Sequence, residues 1–186
     1  ANVTGSTATP TYSYSGTGAT TYGPSATRPT NAGSYQVIAS VAATANFASA
    51  QSTAFAFTIN KATLTYTAAN QTVEYGTAIS SVTGLGTSTI AGFVNGETSA
   101  VVSGSISYTT NYLTSSLPGA AGLVISPVLT GLSAQNYSFT TANGTVTVTR
   151  KLLTVTGAFA AGKIYDGTTS VSITGGLLVG VVGLAL

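Results

Sequence analysis

The chain repeats itself at a step of about 90 residues, and that period constrains most of what it can fold into. Asn46-Phe47 returns as Asn136-Tyr137, and Val73-Glu74-Tyr75-Gly76 returns as Lys163-Ile164-Tyr165-Asp166. Leu64-Thr65-Tyr66-Thr67 matches Leu153-Thr154-Val155-Thr156 one residue out of step, the mark of one insertion or deletion between copies. In this register residues 1–61 read as the C-terminal part of one module, 62–150 as a complete module and 151–186 as the N-terminal part of a third. Both ends cut through modules. A module near 90 residues is long enough to close one hydrophobic core.

Within the repeat the dominant period is two, which places alternate residues on opposite faces of a strand. Thr145-Val146-Thr147-Val148-Thr149 is the clearest case, with valines for a core and threonines for water. Phe55, Phe57 and Ile59 share one face in the same way, as do Tyr35, Val37, Ala39 and Val41, and Val171 with Ile173. Turn residues punctuate these runs. Asn143-Gly144 suggests a tight hairpin joining 137–142 to 145–149, because Asn-Gly tolerates the positive φ that such a turn requires. Asn95-Gly96, Pro118-Gly119 and Asp166-Gly167 mark further bends. Helical periodicity is almost absent. The expected fold is all-β, built from tandem immunoglobulin-like β-sandwich modules of about 90 residues.

Composition excludes several classes. Only 4% of residues are charged, against 44% hydrophobic, so Ser and Thr supply the polar surface. Mean hydropathy is +0.40, yet no run reaches the roughly 18 apolar residues of a spanning helix. The stretch 175–186 is short and broken by Gly176, Gly180 and Gly183, so no transmembrane segment is expected. With no Cys and no His, disulfide, thiolate and imidazole chemistry are closed to it. Arg28, Lys61, Arg150, Lys151 and Lys163 are scattered, whereas nucleic-acid binding calls for clustered cations. No leader-like stretch opens the sequence, as expected of a mature chain or an internal piece of a longer one. A secreted, extracellular or cell-surface location is expected.

The stretch Asn31-Ala32-Gly33-Ser34-Tyr35-Gln36-Val37, followed by Asn46-Phe47 and Phe57-Thr58-Ile59-Asn60-Lys61-Ala62, resembles the closing half of the Ig-like modules that large bacterial adhesins carry in tandem. Glu74-Tyr75-Gly76, Val94-Asn95-Gly96-Glu97 and Gln135-Asn136-Tyr137-Ser138-Phe139 are similar to an MBG-type module. Lys163-Ile164-Tyr165-Asp166-Gly167-Thr168-Thr169, with the apolar 176–182 behind it, looks like the opening of a YDG-type module of filamentous-haemagglutinin-like exoproteins. The resemblance implies a β-rich spacer or adhesive module of a secreted surface protein, with no catalytic residue.

Residue chemistry points the same way. Glu74 and Asp166 hold equivalent places in successive modules, about 40 Å apart if each module is a sandwich, whereas paired-carboxylate catalysis needs less than about 10 Å. Ser and Thr are plentiful, but a nucleophile needs a base and an orienting group. No enzyme, cofactor or metal site is expected. Tyr12, Tyr14 and Tyr22 cluster in the first partial module and could stack on sugar rings. Asn2, Asn70, Asn136 and Asn143 begin glycosylation sequons.

Two functions remain, from different classes. The first is a structural repeat unit of an extracellular bacterial fibre or surface layer, assembling head-to-tail by completing β-modules, with itself as partner, either as a homopolymer of separate subunits or as the continuation of a long repeat chain. Its assembly edges would be Phe55, Phe57 and Ile59 at one end and Val171 and Ile173 at the other, because unpaired strands seek partners. The second is an adhesin module that binds host or biofilm glycans through its tyrosines. Ile59-Asn60-Lys61-Ala62 and Thr149-Arg150-Lys151-Leu152 pass between modules without a Gly/Ser spacer, which implies stiff junctions.

Overall fold

Alternating Thr and Val leave the backbone little choice but extended pairing, and the protein is all-β. The computed structural model describes residues 8–181. The strands are β1 (Thr11–Gly16), β2 (Gly33–Val41), β3 (Ala50–Gln51), β4 (Phe55–Ile59), β5 (Ala62–Ala68) and β6 (Gln71–Glu74). A short helix α1 (Ile79–Gly84) precedes β7 (Ser88–Ala91), β8 (Ser107–Thr110), β9 (Val124–Val128), β10 (Tyr137–Ala142) and β11 (Gly144–Thr149). The last strands are β12 (Thr154–Thr156), β13 (Phe159–Ala160), β14 (Ile173–Thr174) and β15 (Leu177–Val179).

Three larger sheets hold most of these strands. In the first, β2 pairs antiparallel with β1 on one side and with β3 and β4 on the other. The second has the order β10-β5-β7, and the third β6-β11-β9-β8. In the third sheet β6 runs parallel to β11, with Val146 opposite Gln71 and Thr149 opposite Glu74. Two small ladders, β12 with β15 and β13 with β14, complete the set.

The chain forms two compact units: residues up to Tyr66 with Ile90–Ile106 and Leu129–Thr140, and Thr67–Thr89 with Ser107–Val128 and the residues from Thr141 onward. The first unit buries Leu64, Tyr66 and Tyr137 against Ile90, Phe93, Leu129 and Phe139. Phe93 meets Tyr137 edge-on at 5.8 Å, the quadrupole-favoured geometry for two rings. Its Lys61-Ala62 junction is tied down, since Lys61 Nζ donates to the Ala134 carbonyl and Ala62 N–H to the Asn136 carbonyl. The Asn136 side chain accepts from Ala32 N–H and donates to Asn31 Oδ1.

The second unit buries Ala68, Val82, Tyr112, Ile125, Val146 and Val148 together. Val146 and Val148 face this core and Thr145, Thr147 and Thr149 face water, as their alternation predicts. The helix α1 is a departure from the helix-free expectation. At six residues it is too short to print a 3.6-residue period, and it is held by the burial of Val82.

The Asn143-Gly144 hairpin is corrected. β10 pairs with β5, while β11 pairs with β9 and β6, so the chain changes sheets where a turn was expected. Neither Asn143 nor Gly144 has a positive φ. Gly144 is required for another reason: a Cβ there would stand 2.5 Å from the Ala69 carbonyl oxygen and 2.7 Å from that of Ala68. The left-handed Asn-Gly pair is Asn95-Gly96, at φ 54° and 73°, closed by Glu97 N–H donating to the Val94 carbonyl.

Candidate functional site

The β1-β2-β4 sheet has two unlike faces, because strand pairing aligns residues of the same parity. Tyr14 lies opposite Val37 and Val37 opposite Phe55, while Gly16, Tyr35 and Phe57 form the next row. The alternate residues Ser13, Ser15, Gln36 and Thr58 supply the other, polar face. Tyr35 is buried, stacked on Phe57 at 5.5 Å and met edge-on by Tyr22 at 5.7 Å. Its hydroxyl donates to the Asn31 carbonyl.

The three candidate sugar-stacking tyrosines have different surroundings. Tyr14 packs its ring edge-to-face with Phe57 at 6.3 Å, and Tyr22 packs on Tyr35 while its hydroxyl donates to the Thr27 carbonyl. Tyr12 is 50% exposed and Phe55 is 71% exposed, so these two rings offer the open aromatic surface of this face.

The candidate assembly residues occupy two sheets. Phe55, Phe57 and Ile59 all lie on β4, whose inner edge pairs with β2 from Val37 down to Gly33. Among the described residues no strand pairs with the outer edge of β4. The opposite margin of the same sheet is closed. Tyr14 and Ser25 exchange backbone hydrogen bonds of 2.7 and 2.9 Å, and Gly16 N–H donates to the Tyr22 carbonyl. Ile173 lies on β14 opposite Ala160, and Val171 precedes that strand; both are exposed. Leu152, Val155, Phe159, Ile164, Tyr165, Leu177 and Val181 of the same C-terminal stretch are also exposed.

Two polar clusters lie among the described residues, one joining distant segments of the chain and one within a turn. Glu97 accepts a short hydrogen bond from the Tyr137 hydroxyl, which in turn accepts from Val94 N–H. The Glu97 bond, with burial, holds the Tyr137 phenol above its ordinary value. A cavity of about 210 Å³ opens beside them, lined by Asn60, Asn95, Glu97 and Asn136. Burial alone raises Tyr66, and it also raises Tyr112, whose hydroxyl donates to the Thr77 carbonyl.

A second polar knot locks the Tyr-Asp-Gly turn. Lys163 Nζ donates to Asp166 Oδ1, the Thr168 carbonyl and Thr168 Oγ1, each at 2.8 Å. Thr168 N–H also donates to Asp166 Oδ1, and Lys163 above all holds that carboxyl below its usual range.

Arg150 and Lys151 line an apolar cleft of about 380 Å³ with Tyr75, Leu117 and Leu153, and neither side chain forms an ion pair among the described residues. Among those residues no group of three His, Cys, Asp or Glu side chains could hold a metal, and no helix is long and apolar enough to cross a membrane.

Sequence reasoning missed the Asn136 clamp and the Glu97–Tyr137 pair. Both partners were visible as residues, but nothing local in the sequence joins positions so far apart. Comparison with protein-family models, curated proteins and solved structures finds no match.

Proposed function

We propose that this chain is a structural repeat unit of an extracellular bacterial fibre or cell-surface layer, built from Ig-like β-sandwich modules of the MBG and YDG type. Units assemble head-to-tail by completing one another's β-modules, and no catalysis is involved. The observation that carries this reading is the exposure of apolar strand residues on both units. Phe55 stands beside the open edge of β4, and Leu152, Val155, Phe159, Ile173 and Leu177 stand on or beside the small ladders. Exposed apolar strand residues offer surface for an interaction, and an open strand edge supplies the hydrogen bonds for one. A hydroxyl-rich surface with few charges suits an extracellular location.

Electron microscopy of the purified chain tests this. Regular filaments without added partner are expected, and monodisperse monomers at high concentration overturn the reading.

A second reading, glycan adhesion, is favoured by the exposed rings of Tyr12 and Phe55 on one sheet face. A glycan array separates the two. Specific binding lost on Tyr12→Ala supports adhesion, whereas a spacer binds none.

A further inference from the structure

The pairing of β6 with β11 shows how one repeat closes its sheet, and the repeat carries both partners of that pairing a second time. In the intact pair Val146–Thr149 lies parallel to Gln71–Glu74, and Tyr75 N–H continues the ladder by donating to the Thr149 carbonyl. At the repeat step Val146 and Val148 of β11 correspond to Phe57 and Ile59 of β4, and Val73-Glu74-Tyr75 corresponds to Lys163-Ile164-Tyr165. β4 therefore has the strand neighbour of β11 on its inner side, and among the described residues no strand pairs with its outer side, where a β6 equivalent would lie. A β6 equivalent is present at 162–165, and among the described residues no strand pairs with it. Residues 162–165 belong to no strand, and Ile164 and Tyr165 are 91% and 93% exposed, whereas Tyr75 packs against its core.

We infer that Gly162–Tyr165 of one copy adds as a parallel strand to the outer edge of β4 in a second copy. This inference rests on the head-to-tail reading above. Equivalence with β6 sets the register: Thr58 lies opposite Gly162, Ile59 opposite Lys163 and Asn60 opposite Ile164, and Tyr165 N–H donates to the Asn60 carbonyl. Strand addition of this type takes its affinity from main-chain hydrogen bonds and its register from alternate side chains. Lys163 replaces the inward Val73. Its alkyl stem covers the apolar face while Asp166 and Thr168 hold its ammonium outward. The donor and acceptor surfaces differ, so the contact is heterologous and propagates instead of closing a dimer.

The chain contains no cysteine, so engineered thiols report on this contact alone. The chain carrying Thr58→Cys is mixed with the ¹⁵N-labelled chain carrying Gly162→Cys and oxidised. Thr58 is exposed, and a Cβ at Gly162 meets nothing within 4 Å, so neither change disturbs the fold. A mixed-isotope disulfide dimer is expected, falling to background when Ser13→Cys, on the strand whose outer margin Tyr22–Ser25 occupies, replaces Thr58→Cys. No mixed dimer, or an equal yield from Ser13→Cys, overturns the assignment.

Hydroxyl-radical footprinting of the unsubstituted chain is the second measurement. Tyr165 is expected to gain protection in the assembled fraction, and its continued reactivity there overturns the assignment. Filaments without the specific cross-link leave head-to-tail assembly standing and remove only this strand pairing. Neither filaments nor cross-link removes both.

Discussion

The carbonyl of Ala69 lies so close to Gly144 that a Cβ on that residue would sit 2.5 Å from its oxygen. Backbone cannot yield as the tip of a flexible side chain can, so Gly144→Ala is expected to cost about 1–3 kcal/mol. Gly84 ends α1 with open space around it and no positive φ, so Gly84→Ala is expected to gain about 0.4–1 kcal/mol by restricting the unfolded chain. Urea midpoints of the two variants, measured side by side, check the contrast. Equal midpoints would remove the close approach as the reason for a glycine at 144.

Tyr137→Phe deletes the hydroxyl that joins Glu97 to the Val94 amide. A bond to a carboxylate is lost and a partly buried amide is left unpaired, for an expected loss of about 1–3 kcal/mol. The Tyr137 phenol is raised by its Glu97 bond, so it binds its proton more tightly folded than unfolded. Its contribution is then fully present below the ordinary tyrosine value, about 10, and is lost as pH rises through the higher folded value. Alkaline melting curves should show this component in the native chain and not in the Phe variant.

Asn136→Ala removes the acceptor of Ala32 N–H and the donor to Asn31. The expected cost is about 1 kcal/mol, with the loss felt first locally. Hydrogen exchange at Ala32 should accelerate while Leu64 and Tyr66 in the core remain protected. Unchanged exchange at Ala32 would show that the clamp does not hold this segment.

Asp166 is depressed by Lys163 and by the Thr168 donors, so the stabilising effect is present above the ordinary carboxylate value and is lost as pH falls through the folded one. The Thr168 amide resonance should therefore titrate below about 3.9 and lose that transition in Asp166→Asn. Titration at the ordinary carboxylate value would mean that the knot does not persist in solution.

The stiffness expected at Arg150-Lys151 has its own test. Inserting Gly-Ser after Arg150 should broaden the small-angle scattering envelope while leaving each core's melting intact. An unchanged profile would place the rigidity elsewhere than in the short connection.

Strand content and core faces were legible in the residues because alternation is a local property: Val146 and Val148 turn inward by their own spacing, whatever strand lies beside them. The bends at Asn95-Gly96 and Pro118-Gly119 were legible for the same reason, since φ preference belongs to the residue itself. Strand partnership was not. Asn143-Gly144 has the composition of a hairpin, yet β10 and β11 join different sheets, where Tyr137 is buried with Leu64 in one core and Val146 with Ile125 in another. The same holds for Gly144, whose need for a bare Cα comes from Ala69 and Ala68, and for Asn136, whose partners lie more than a hundred residues away. Period and turn chemistry are written along the chain, whereas the choice of neighbour is a competition among all strands for the same buried surface, decided only when the chain is folded.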